Sequence, residues 1–291
     1  MTTVIETPGI YEMPEDDYFA DPVLAGSLSC TWAKQLAQPG GPAKWKWERD
    51  HPKPSKKHFD LGHAAHALVL GVGAPIEEIP FDEWRSKAAK DLVADAREAG
   101  HIPLKPAEFE QVTLMAEQIR SHELAMRLIE DARHEQSAFR VDTETGLWLR
   151  CRFDSISPDG ISDYKTTICA EPTEFVRQAV KLGFHQQAAW YRDMAQALGI
   201  TDGPLRFIAQ EKQPPYLVSV IDLDRDTEDL GRRANRRAID IYSQCRATGQ
   251  WPGYPPIIHT VSAPPWAFET PDTLDPSVEQ ELVDLLKGTA A

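Results

Sequence analysis

Two hydrophobic periods divide the chain. Up to about residue 132, apolar residues recur every three or four positions. DLVADAREAG (91–100) and EFEQVTLMAEQIRSHELAMRLIEDA (108–132) both carry that spacing, and residues 80–132 are predicted to hold two or three helices. Upstream, GSLSCTWAKQLAQPGG reads as a helix started by Ser27 or Ser29 and ended by Gly40 and Gly41. In FDLGHAAHALVLG, Leu61, Ala65, Leu68 and Val69 share a helical face closed by Gly71 and Gly73. From Ser137 the period becomes two. SAFRVDTETGLWLRCRFDSIS alternates about a TETG turn, SPDG makes a second turn, and ISDYKTT is a further strand. A long helix is predicted over 172–198, with Pro172 in its first turn. LRFIAQEK and YLVSVIDL then read as strands and 226–247 as an arginine-rich helix, followed by a Pro-rich stretch after Trp251. Residues 1–25 read as an irregular acidic arm, and 276–291 as a short acidic helix or a frayed end. Helices, three strands, a helix, two strands and a helix make an α/β protein with a mixed sheet flanked by helices.

With 291 residues and 42% hydrophobic content, the chain can bury a substantial core. It has no apolar run of membrane-spanning length and no secretory signal, so a cytoplasmic location without membrane association is expected. Cys30, Cys151, Cys169 and Cys245 lack zinc or iron–sulfur spacing and read as core thiols. The net charge of −14 argues against indiscriminate nucleic-acid binding. A local basic groove on an acidic protein remains compatible with it. Lys44, Lys46, Arg49, Lys53, Lys56 and Lys57, interleaved with Trp45 and Trp47, form one basic cluster; Arg232, Arg233, Arg236 and Arg237 form another. The first is either a surface loop with its tryptophans packed inward or a DNA-contacting segment.

The candidate chemistry is concentrated in LWLRCRFDSISPDGISDYKTT, residues 147–167. Asp154 lies on one strand, and Asp163 and Lys165, two apart, share a face of the next. Two carboxylates suit a hard divalent ion such as Mg²⁺ or Mn²⁺, which would polarise a phosphodiester and activate water; an ammonium beside them offsets phosphate charge. The same triplet also occurs as ordinary polar strand ends. His66 is either a metal ligand or a helix histidine satisfied by its neighbours. A zinc site of His63 and His66 lacks further ligands. Gln187 and Tyr191, four apart on one helix face, either reach the strand edge or merely decorate the helix. Glu135 is a further metal or water ligand or a surface charge.

The order of the LGxAxHxLVLG helix, Asp154, the Asp163-Tyr164-Lys165 triplet and QAAWY resembles the PD-(D/E)XK nuclease superfamily, RecB-type branch, nearest to the exonuclease VIII (RecE) type of phage recombination nuclease. TETGLWLRCRFDSI and QWPGYPPIIHTVSAPPWA add to the likeness, which spans roughly 25–268. It implies a restriction-endonuclease-like core over 26–268, with an arm at 1–25 and a tail at 269–291. It also implies metal binding by His66, Asp154, Asp163 and the Tyr164 carbonyl, catalysis by Lys165, and the Gln187/Tyr191 helix motif. No iron–sulfur cluster is expected. The implied activity is Mg²⁺-dependent 5′→3′ degradation of one strand at linear double-stranded DNA ends. That leaves a 3′ single strand for a RecT-like annealing protein, and the enzyme would work as a ring-like homo-oligomer in the cytoplasm of the cell or phage host. The alternatives are an endonuclease or end-trimming nuclease on the same fold, and an inactive DNA-end-binding recombination scaffold.

Overall fold

The alternating segments pair as neighbours in one mixed sheet. In the computed structural model, residues 4–51, 61–268 and 283–285 are described. The chain divides into two compact units, Met1–Gly253 and Tyr254–Ala291. The first begins with β1 (Gly9–Tyr11), α1 (Glu15–Phe19), β2 (Ser27–Ser29), α2 (Cys30–Leu36), α3 (Gly41–Asp50) and α4 (Leu61–Leu70). A small insert follows: β3 (Ile76–Glu78), α5 (Lys87–Glu98) and β4 (Ile102–Leu104). Then come α6 (Pro106–Arg120), α7 (Glu123–Ile129), β5 (Arg133–Val141), β6 (Trp148–Ser157) and β7 (Gly160–Thr167). The unit closes with α8 (Pro172–Leu182), α9 (Phe184–Ala197), β8 (Leu205–Glu211), β9 (Val218–Asp222) and α10 (Arg225–Thr248). Within the second unit, Pro265–Phe268 form one 3-10 turn.

The sheet runs β1-β5-β6-β7-β8-β9, with β2 added in parallel to the start of β6. Only β2–β6 and β7–β8 are parallel in it; the other pairs are antiparallel. Apolar residues from both faces build the layers. Leu149, Cys151, Phe153 and Phe207 pack with Trp190 and Met194 of α9. Tyr164 and Ile208 pack with Ala64 and Ala65 of α4 and Met115 of α6. No helix among the described residues is long and apolar enough to cross a membrane.

Three sequence expectations change. Residues 4–25 are not irregular: Ile5, Met13, Tyr18 and Val23 close over Phe139 as a satellite core, and β1 pairs with β5. Strands of three residues are too short to show a period, so β1 and β2 escaped the pattern. The helix expected over 172–198 is two, because Gly183 takes a left-handed conformation (φ 71°) that caps α8 and starts α9. The helix read from Ser27 to Gly41 stops at Leu36; Ser29 Oγ caps it by accepting the Trp32 N–H, and Gly41 opens α3 instead. Lys53, Lys56 and Lys57 lie outside the described residues, as does most of 269–291.

The TETG turn is pinned by Asp142, which is buried. Its Oδ2 accepts from Thr145 Oγ1 (2.6 Å) and N (3.1 Å), and Arg236 Nη1 of α10 lies 2.9 Å from Oδ1. Burial pushes this carboxyl up, but the Arg236 and Thr145 hydrogen bonds outweigh it and hold its pKa below the ordinary carboxylate value. A depressed folded-state pKa contributes stability above the unfolded value, about 3.9, and loses it as pH falls through the lower folded one. Asp142→Asn should therefore be less stable than the wild type at pH 7, with the gap closing as the pH falls from 7 to below about 4. Urea unfolding across that range checks it; a gap independent of pH would exclude the ion pair as its source.

Candidate metal centre and nuclease site

The antiparallel pairing of β6 and β7 lasts three residues, Ser155–Ser157 against Gly160–Ser162. The strands then part, and the next pair in register, Asp154 and Asp163, faces the gap. Asp154 Oδ2 accepts the Tyr164 N–H at 3.0 Å, so a side chain satisfies a backbone donor that the ladder has released. β7 instead continues in register with β8 through Thr167. The gap is walled by α4 on one face of the sheet and α9 on the other.

From α4, His66 Nε2 lies 3.1 Å from Asp154 Oδ2, and its Nδ1 lies 3.5 Å from Glu135 Oε1. Glu135 sits inside β5 rather than ahead of it, with a left-handed backbone (φ 52°), and Arg152 Nε holds its Oε2 at 2.5 Å. A non-glycine residue at positive φ within a strand is a strained conformation of the kind retained at functional sites. Arg152 Nη1 in turn donates to Ser137 Oγ at 2.8 Å and to the Met13 carbonyl at 3.0 Å. The ligand atoms of His66, Glu135 and Asp154 fall within 4.8 Å of one another, the one such cluster among the described residues.

Asp163 is fully buried. Gln187 Nε2 of α9 donates to its Oδ1 at 2.6 Å, and the Lys165 ammonium lies 2.6 Å from its Oδ2. Both oxygens of this buried carboxylate are therefore engaged, one by an amide and one by an ammonium. The imidazole of His66 and the clustered carboxylates of Glu135 and Asp154, with Asp163 across the gap, fit a divalent cation. Burial and the nearby Asp154 raise the Asp163 pKa to about 6. Asp154 goes the other way: burial opposes its charge, but His66, Lys165 and the Tyr164 N–H hold it below the usual range. His66 and Lys165 each lose to burial and regain more from the carboxylates, so both pKa values are raised.

Tyr191 does not reach the carboxylates through any recorded hydrogen bond. Its ring packs edge-on against Phe153 at 5.4 Å, and burial keeps its phenol protonated well above the ordinary range. The Tyr164 hydroxyl donates to Gln210 Oε1 (2.5 Å), and Gln210 donates to the Met115 carbonyl (2.9 Å), locking β7, β8 and α6 together. The arginines of α10 are largely committed. Arg232 pairs with Asp193 and Asp229, and Arg236 with Asp142 and Asp240. Arg233 and Arg237 remain exposed. In the other basic cluster Lys46 is paired with Asp50 at 2.6 Å, Lys44 is exposed, Trp45 is buried and Trp47 is 64% exposed. Sequence reading missed Arg152. Its position two residues before Asp154 on one strand was the available signal.

The chain aligns with the crystal structure of a candidate exonuclease from Eubacterium rectale at a TM-score of 0.59 and 13% identity, covering 91% of this chain and 100% of that one. At that identity the likeness speaks for the fold. No curated protein matches the sequence. The model of the family described as "PDDEXK-like domain of unknown function (DUF3799)" matches residues 29–261, a span that contains His66, Glu135, Asp154, Asp163, Lys165 and Gln187, and the chain belongs to that family.

Proposed function

We propose that this protein is a divalent-metal-dependent deoxyribonuclease, and specifically an exonuclease of the RecE type acting on the ends of linear double-stranded DNA. The observation that carries the reading is the gap between β6 and β7, where Asp154, Asp163 and Lys165 meet His66 and Glu135. His66, Asp154 and Asp163, with Glu135 beside them, would hold Mg²⁺ or Mn²⁺, and such an ion would supply Lewis acidity toward the phosphodiester and a nucleophile from water at neutral pH. The protein's own groups do the rest. Lys165 carries a retained positive charge toward the phosphate and the attacking water. Gln187 fixes one oxygen of Asp163, the Tyr164 N–H fixes Asp154, and Arg152 fixes Glu135. Orienting partners of this kind preserve ligand geometry. The 5′→3′ polarity, the ring-like assembly and the annealing partner rest on resemblance to RecE-type enzymes.

Digestion of end-labelled linear duplex DNA with Mg²⁺, beside the same DNA closed into a circle, tests this reading. Loss of label from the 5′ ends of the linear form, with the circle intact and with EDTA blocking the reaction, is the expected result. Cutting of the circle would reassign the protein as an endonuclease. Binding of both without cleavage would make it a scaffold.

A further inference from the structure

A second ammonium stands beside Lys165, outside every motif of the site. Lys34, on α2, lies with its Nζ 5.7 Å from the centre of the Phe184 ring; Lys165 Nζ lies 5.3 Å from the same centre. Two cations on one ring are attracted to its π-face but repel each other. The Lys34 stem runs past Gly183 at the α8–α9 junction. A Cβ added there would sit 3.1 Å from its Cδ and 3.3 Å from its Cε, so a larger residue, already disfavoured by the left-handed backbone, would push the lysine stem aside.

Lys34 has no carboxylate partner among the described residues. The nearby carboxylate, Asp163, is already occupied by Gln187 and Lys165. The charges that face Lys34 are Lys165 and Asp163, with the Cys30 thiol beside them. Burial pushes the Cys30 thiol up to about 11, so it is neutral and offers no compensation at pH 7. Burial also lowers the Lys34 pKa. A half-buried ammonium beside an already paired ammonium is favoured in its charged form by a further anion.

We propose that Lys34 binds a phosphate of the nucleic-acid backbone alongside the phosphate held at Lys165. The proposal rests on the nuclease reading and adds a residue to its substrate contacts. Two ammoniums within 6 Å of one ring centre offer a polyanion two anchoring points close together, so the strand would be held in register as well as attracted. A lysine whose stem only covers Phe184 would leave its ammonium in water and contribute nothing to binding.

The test is the salt dependence of binding to end-labelled linear duplex DNA in EDTA, where cleavage is blocked. Lys34→Met keeps the stem and removes the charge; Lys34→Arg keeps the charge. Lys34→Met should bind about tenfold more weakly. Its slope of log affinity against log salt should fall by about 0.9, the loss of one phosphate contact. Lys34→Arg should restore the slope, and the melting temperature of each variant shows that it is folded. A folded Lys34→Met variant with the wild-type slope overturns the proposal and leaves the nuclease reading, tested by cleavage in Mg²⁺, untouched. Failure of the wild type itself to bind DNA overturns both.

Discussion

Lys165→Ala is expected to lower the rate of linear-DNA cleavage by about 10²–10³-fold in a variant shown by its circular dichroism to be folded. That magnitude is typical for removal of one preorganised donor aimed at developing charge. Two effects combine. The phosphate loses the ammonium, and Asp163 loses the cation 2.6 Å from its Oδ2. Burial and Asp154 already lift Asp163 to about 6, and Lys165 is among the groups opposing them. Without it the Asp163 pKa rises further, so at pH 7 a larger fraction of that carboxyl is protonated and unable to hold a cation. Raising the pH ionises it again. The residual activity of the variant should therefore recover part of its deficit as the pH rises above 7, whereas the lost phosphate contact is not restored by pH. Single-turnover cleavage rates across that range separate the two contributions. A variant that cleaves at the wild-type rate would remove Lys165 from the chemistry.

Asp21→Ala should give the largest loss of stability, about 3–5 kcal/mol, the usual cost of stranding one partner of a buried ion pair. Arg150 on β6 is buried, and its Nη1 lies 2.5 Å from Asp21 Oδ1 and 3.0 Å from Ser27 Oγ. Asp21 also accepts from the Ser27 N–H (2.9 Å) and hydroxyl (2.7 Å), and it adopts a left-handed backbone (φ 60°) to do so. Truncating it leaves a guanidinium inside the protein and releases β2 from one of its ties. Combining Asp21→Ala with Arg150→Met should recover much of the loss, because no charge is then left unpaired. Urea unfolding of the two single variants and the double variant measures the coupling. Additive losses would show that the pair does not act as a unit.

The Asp21–Arg150 pair also marks where the sequence stopped being informative. Asp21 belongs to a stretch with no period, 129 positions before its partner, and an acidic segment reads the same whether it is solvated or locked into a sheet. The alternation along 147–154 separated Leu149, Cys151 and Phe153 from their neighbours, yet nothing in it marked Arg150 as buried beneath the segment preceding β2. On α10 the arginine cluster was visible as composition. Its pairing with Asp142, Asp193, Asp229 and Asp240 was not, since two of those acids come from other elements.

The sequence by itself determined the sheet-forming region, the order of its main elements and the Asp163–Lys165 relation, because a period of two and a spacing of two are local properties of the chain. His66 and Gln187 were legible as candidates through their helix motifs, whereas Glu135 remained open between ligand and surface charge. The tertiary structure alone decided that β6 and β7 separate after three pairs, that Glu135 turns through a left-handed backbone to join His66 and Asp154, and that Lys34 shares the Phe184 ring with Lys165. Each of these depends on contacts between elements distant in sequence. Their energies come from burial and from charges brought together by packing, and neither is encoded in any single stretch of residues.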